Sequence, residues 1–145
     1  MNKLTLGLSL FLSFSTFAAN NDCEVATQMF NDAGELIALS TDAAKGSNTE
    51  KLSNSKVTAS EFNQWSKVVF APKMNKLVNK YAQYQSVSSN SPIYVGNAVI
   101  VETDNYIEAL TKFTATHDKQ YILSLREIMG RVTDAHDALK THCTK

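Results

Sequence analysis

Apolar side chains recur every three or four positions along most of the chain. The clearest stripe is unbroken at the C-terminal end: Ile122, Leu125, Met129, Val132, His136, Leu139 and Cys143. A second stripe lies near the N-terminal end: Cys23, Ala26, Phe30, Ala33, Ile37, Ser40 and Ala44. Alternating steps of three and four keep side chains on one face of an α-helix. Both ends of the chain are therefore predicted to be amphipathic helices.

The middle of the chain has a helix start and then a change of phase. Thr58 and Glu61 have the spacing of a capping box, which satisfies backbone N–H groups at a helix start. The apolar phase that follows runs to Val69 and then jumps by one residue to Phe70. Pro72 lies at this jump and lacks the N–H of a continuing helix. The sequence therefore predicts either one kinked helix or two helices separated just before Pro72.

The segment after Ser91-Pro92 fits two kinds of structure. Ser91 can cap a helix that begins with Pro92, and the apolar residues after it keep helical phase. Residues 93–101 also resemble two short strands around Gly96-Asn97, which would form a β-hairpin. We favour the helix because an isolated hairpin is only marginally stable. Four helices in sequence predict an all-α fold, an antiparallel four-helix bundle in up-down order.

Residues 1–19 have the three parts of a secretory signal peptide. Lys3 provides the positive start, Leu4 to Phe14 is a short apolar run, and Ala18-Ala19 supplies small residues at the end. The apolar run is shorter than the ~20 residues that span a bilayer as a helix. We therefore expect a cleaved leader and a single helical-bundle domain over residues 20–145. The expected location is periplasmic or secreted, with no membrane span in the mature chain.

Charge and composition exclude several classes of protein. The full chain has 14 Lys+Arg, 14 Asp+Glu and 43% apolar residues. This apolar fraction is too high for intrinsic disorder. A neutral balance is unsuited to nucleic-acid binding, because affinity for DNA or RNA rests on neutralising phosphates. We therefore expect a compact domain with no nucleic-acid partner.

The two cysteines predict one disulfide. Cys23 and Cys143 lie near the two ends of an exported chain, and an oxidising compartment favours their pairing. Such a bond would place the first and last helices side by side, with their stripes facing each other. Counting inward from the bond, Phe30 then faces His136.

The sequence contains no recognisable catalytic constellation. It has no nucleophile motif, no glycine-rich phosphate loop and no closely spaced set of metal ligands. We therefore expect no enzyme activity, no metal site and no cofactor. His136 is the one titratable residue on the core stripe, and with Phe30 and Met29 it is a candidate ligand-binding residue. A Met near the start of the first helix and a His near the end of the last resembles the ligand pair of four-helix b-type haem carriers. The register, however, turns Met29 away from His136.

Three tyrosines flank the polar linker that precedes Ser91. Tyr81, Tyr84 and Tyr94 would lie at one end of the bundle, and tyrosine combines a large apolar ring with one polar group. These residues are the candidate partner-binding site. The predicted function is a small, non-enzymatic secreted or periplasmic protein that binds another protein, such as an inhibitor or an immunity-type protein acting on an envelope partner. The alternative is a haem or metal carrier that uses His136 inside the bundle.

Overall fold

The structure is a computed structural model that describes residues 21–45 and 52–144. Its α-helices are α1 (Asn21–Lys45), α2 (Ala59–Trp65), α3 (Ala71–Lys80), α4 (Pro92–Thr116) and α5 (Lys119–Cys143). A π-helical turn, Ser66–Phe70, joins α2 to α3, and short 3-10 turns cover Leu52–Asn54 and Ala82–Tyr84. Within these residues there is no β-strand. The predicted leader, residues 1–19, lies outside the described residues. The all-α prediction is confirmed.

The segment from α2 to α3 is one continuous helical rod, which we call the second rod. Thr58 and Glu61 form the predicted capping box: Thr58 Oγ1 accepts from the Glu61 backbone N–H, and the Glu61 carboxylate accepts from the Thr58 N–H. Pro72 lies in the first turn of α3, directly after the π turn. Because a π turn holds about one residue more than an α turn, Phe62 and Phe70 come back to the same buried face. The phase jump therefore marks a widened turn within one rod, rather than a break into two helices.

α4 is helical from Pro92 onward, so the hairpin alternative for residues 93–101 is wrong. Ser91 is the N-cap, and its Oγ accepts from the Ile93 backbone N–H at 3.2 Å. Ile93 and Ile100 are both buried in helical phase. Tertiary packing of this helical face decides between two patterns that the local sequence left open.

The four rods alternate up and down, and α1 packs most extensively against α4. The two helices run parallel: Asp22 accepts from Ser91 Oγ at their starts, and Thr41 shares a buried 2.7 Å hydrogen bond with Tyr106 towards their ends. They approach closely at Gly96, where an added Cβ would lie 2.9 Å from Met29 Sδ. The expectation that the α1 and α5 stripes face each other therefore holds only in part, because α1 packs mainly against α4. Only part of α1 faces α5, because α4 occupies the larger part of its buried side.

α1 and α5 meet at the disulfide end of the bundle. Cys23 and Cys143 are bonded, with a Cα–Cα distance of 5.8 Å. The rings of Phe30 and His136 lie 5.3 Å apart between centroids. The predicted disulfide and the predicted Phe30–His136 pairing are both confirmed.

A two-residue connection joins α4 to α5. His117 ends α4 with a left-handed backbone, φ 54°, and Asp118 caps α5 by accepting from the Gln120 backbone N–H at 2.9 Å. So short a connection makes the two helices antiparallel neighbours. Arg131 on α5 donates two hydrogen bonds, of 2.7 and 2.9 Å, to the carboxylate of Glu102 on α4. The paired Arg131 guanidinium lowers the pKa of Glu102.

Candidate functional site

The structure gives the three candidate tyrosines different roles. Tyr81 is buried, and its hydroxyl donates to Asp32 Oδ2 at 2.7 Å. Lys80 Nζ donates to the same oxygen at 2.7 Å, so this cluster ties the end of α3 to α1. Burial raises the pKa of Tyr81 to about 12, and the hydrogen bond to Asp32 adds to this shift. Tyr81 thus supports the position of the second rod.

Tyr84 and Tyr94 lie closer to solvent at the same end of the molecule. Tyr84 is half-buried, and its backbone carbonyl accepts from Asn97 Nδ2 of α4 at 2.9 Å. Tyr94 is 51% exposed on the first turn of α4. The Asn97 bond therefore holds the end of the second rod against the helix that presents Tyr94. That these tyrosines bind a partner stays a prediction.

The exposed side of α4 carries further apolar residues. Tyr94, Ala98 and Val101 are spaced by four and three residues, so they lie along one helical face, which we call the α4 face. Val101 is 59% exposed, although it is a β-branched apolar residue. No charged residue occurs between Lys80 and Val101, and Glu102 and Asp104 follow at the C-terminal end of the face.

Sequence reasoning missed Ala98 and Val101. Both fall within residues 93–101, where nearly every position is apolar and the helical and strand patterns overlap. The buried phase of α4, set by Gly96, Ile100 and Thr103, leaves these two residues on the opposite side. Helical phase counted from Pro92 could have found them, but only after the hairpin alternative had been rejected.

The other candidate ligand residues, Met29 and His136, have different neighbours. His136 packs its half-buried ring on Phe30, and its Nδ1 lies 3.4 Å from Asp137 Oδ1. Met29 is fully buried and packs against Gly96 of α4. The structure thus turns Met29 towards α4 and His136 towards α1. The haem-carrier alternative stays a prediction, and the positions of Met29 and His136 do not support it.

Among the described residues, open depressions between neighbouring helices include the following two. The larger, about 210 Å³, is the α1–α3 groove, and its lining residues are Asp32, Glu35, Leu36, Leu39, Lys73, Lys76, Leu77 and Lys80. Acidic side chains come from α1, lysines come from α3, and leucines lie between them. The other, about 190 Å³, lies between α4 and α5 and includes Tyr121 and the Glu108–Lys112 ion pair.

The described residues contain few other features that suggest chemistry. They hold no group of three or more His, Cys, Asp or Glu placed to bind a metal ion. Every buried side-chain nitrogen or oxygen among them has a hydrogen-bond partner. None of the helices in the described ranges has the length and apolar character needed to cross a bilayer.

Comparison with known proteins finds no family model, no curated protein and no solved structure that matches this chain.

Proposed function

We propose that this protein is a disulfide-clamped binding module that docks a partner protein through the α4 face. The observation that carries the proposal is the exposure of Tyr94 and Val101, 51% and 59%, on one face of a rigid helix. Tyrosine is enriched at protein–protein interfaces, where charged residues are depleted from the centre. The α4 face has both properties, because it presents an exposed tyrosine and none of its own three residues carries a charge.

The α4 face is held in place before any partner arrives. Gly96 brings α4 against α1, and the buried Thr41–Tyr106 hydrogen bond fixes the same pair of helices further along. A surface on a fixed helix loses little conformational entropy on binding, so more of the contact energy is available for affinity. This rigidity suits an inhibitor or an immunity-type protein that must recognise one partner.

The proposed place of action is an oxidising compartment such as the periplasm or the cell exterior. A disulfide between Cys23 and Cys143 forms and persists under oxidising conditions. The signal-peptide pattern of residues 1–19 supports export on independent grounds. An inhibitor or immunity-type protein of the envelope is the specific form of the proposal.

The test is site-specific photocrosslinking in the native cell envelope. A photoreactive residue at position 98 is expected to trap one partner protein. The same residue at position 123 is the matched control, because Leu123 is 56% exposed on α5, away from the α4 face. A partner trapped equally from both positions, or from neither, would contradict the proposal.

Binding of the purified partner then tests the α4 face directly. Val101→Asp places a charge at the proposed interface and is expected to weaken binding by about tenfold or more. Leu123→Asp makes the same chemical change at an equally exposed site and is expected to leave affinity unchanged. Equal losses in the two variants would show that the α4 face is not the binding surface.

A further inference from the structure

Acidic residues line one wall of the α1–α3 groove and basic residues line the other, so the groove is complementary in charge to the same groove of a second copy. Beyond the proposed function, we infer that this groove is a self-association face, on which a second copy of the chain docks with a two-fold axis parallel to the helices. The inference rests on the two walls of the groove, on the leucines between them and on the balance of charge in the chain.

The acidic wall belongs to α1 and the basic wall to α3. Asp32 already pairs with Lys80 at 2.7 Å, which joins the two walls at one end of the groove. Further along, Glu35 is exposed on α1, and Lys73 and Lys76 are exposed on α3. None of these three has an ion-pair partner within 4.0 Å among the described residues. Their charges are therefore available to another molecule.

The basic wall has no acidic residue in its own helix, α3, and Glu61 in the capping box is the one acidic residue of the second rod. No Asp or Glu occurs between Glu61 and Glu102, whereas this stretch contains Lys67, Lys73, Lys76 and Lys80. The described part of α1 has the opposite bias, with five acidic residues and one lysine: Asp22, Glu24, Asp32, Glu35, Asp42 and Lys45. The two neighbouring helices thus form a positive and a negative stripe that run side by side.

A two-fold axis decides which charges meet. Suppose that two copies face each other and are related by a two-fold axis parallel to the helices. The rotation then places α1 of each copy opposite α3 of the other, so the acidic stripe of one copy lies against the basic stripe of the second. An axis across the helices would instead place like charges together. A two-fold interface uses the same patch on both copies, so Glu35 of one copy faces Lys76 of the second, and the reverse pair forms as well. The charge pattern therefore predicts a parallel dimer.

The size of the face fits a weak dimer. The second rod is about 33 Å long, and two helices side by side are about 20 Å wide, which gives roughly 650 Å² per copy. This area is near the lower limit for specific interfaces. The floor includes half-buried Leu39, with Leu36 and Leu77 beneath it. Apolar contact in the middle and paired charges at the sides are the arrangement of a small reversible interface.

A second copy fits the groove better than a partner of one charge sign. An acidic or a basic partner would be repelled by one of the two walls, whereas a rotated copy matches both. The full chain has equal numbers of acidic and basic residues, so long-range repulsion between copies is small. The α4 face is formed by other residues and is separate from this contact.

Sedimentation equilibrium of the disulfide-bonded protein over a range of concentrations tests this inference. The wild type is expected to reach dimer mass, with weaker association at high salt. Glu35→Lys alone and Lys76→Glu alone should each raise the dimerisation Kd by about tenfold or more, because like charges then face each other. An equimolar mixture of the two variants should form heterodimers at least as tightly as the wild type, since each altered wall meets its opposite.

Two controls separate this contact from general charge effects. Glu127→Lys makes the same charge change on exposed α5 and should leave the dimerisation Kd unchanged. Val101→Asp should also leave it unchanged, and its separate effect on partner binding keeps this test distinct from that of the α4 face. A wild type that stays monomeric at every concentration, a mixture that does not associate, or equal effects of Glu35→Lys and Glu127→Lys would overturn the inference.

Discussion

Three helical glycines make a matched set for testing how closely the helices of this bundle pack. Gly34 lies in α1, Gly96 in α4 and Gly130 in α5. In a helix interior, glycine costs about 0.8–1.0 kcal/mol relative to alanine, mainly through the entropy of the unfolded chain. Through this effect alone, replacing glycine by alanine should raise the free energy of unfolding by the same amount at all three sites. What differs is the space around the added methyl group.

Gly34 and Gly130 have open space beside them. A Cβ at either position would meet no other heavy atom within 4 Å, apart from its own helix backbone and its chain neighbours. Gly34→Ala and Gly130→Ala should therefore each raise the free energy of unfolding by about 1 kcal/mol. Because the two sites are on different helices and the mutations add no contact, their effects should be additive in the double variant.

Gly96→Ala should instead lower the free energy of unfolding. Its methyl group would lie 2.9 Å from Met29 Sδ and 3.0 Å from Met29 Cβ. The thioether can rotate away, but Met29 Cβ is fixed to the backbone of α1, so α1 and α4 must separate. Overpacking of this kind costs about 1–3 kcal/mol, which outweighs the gain in helix propensity. We expect a net loss of up to about 2 kcal/mol.

Urea unfolding followed by far-UV circular dichroism measures all three effects in one assay. Linear extrapolation gives the free energy of unfolding, and an unchanged slope confirms that the same surface unfolds in each variant. The result that refutes the reasoning is a Gly96→Ala protein as stable as Gly130→Ala. That result would mean that α1 and α4 do not approach closely at Gly96.

Three further predictions concern the termini, the α4–α5 connection and the α1–α3 tie. Replacing Cys23 and Cys143 by serine should lower stability by about 4–5 kcal/mol, because the disulfide closes a 120-residue loop; an unchanged urea midpoint would disprove this. His117→Gly should raise the thermal midpoint and His117→Val should lower it, since φ is 54° there; equal midpoints would contradict a left-handed backbone. Tyr81 has a pKa of about 12 in the folded protein against the usual 10.0. Its contribution to the free energy of unfolding is therefore complete below pH 10 and is lost between pH 10 and 12. Tyr81→Phe should remove this part of the alkaline decline in urea midpoint, and an identical decline in both proteins would refute it.

The helices could be predicted from the sequence because the information for them is local. The 3.6-residue repeat, the Thr58–Glu61 capping box and the Ser91 cap each depend on residues within one or two turns. The disulfide was also predictable, since two cysteines allow only one intramolecular pair. The register counted from that bond placed Phe30 opposite His136, and the structure confirms it.

The change of apolar phase near Pro72 could be seen in the sequence, but its cause, the π turn, could not. The jump from Val69 to Phe70 and the position of Pro72 both indicated an irregularity. Kinked, broken and widened helices all produce such a jump. The burial of Phe62 and Phe70 on one face decides for a widened turn in a continuous rod.

The choice of neighbours among the helices was decided by tertiary structure. An amphipathic stripe shows that a helix face is buried, but it does not show which helix covers it. α1 packs mainly on α4 because Gly96 allows a close approach that no periodicity reports. The α4 face and the α1–α3 groove follow from that arrangement: Val101 is exposed because α4 buries its opposite side, and Glu35 shares a groove with Lys76 because α3 packs beside α1. Contacts between residues far apart in the chain depend on how all four rods fit together, and local sequence does not specify that fit.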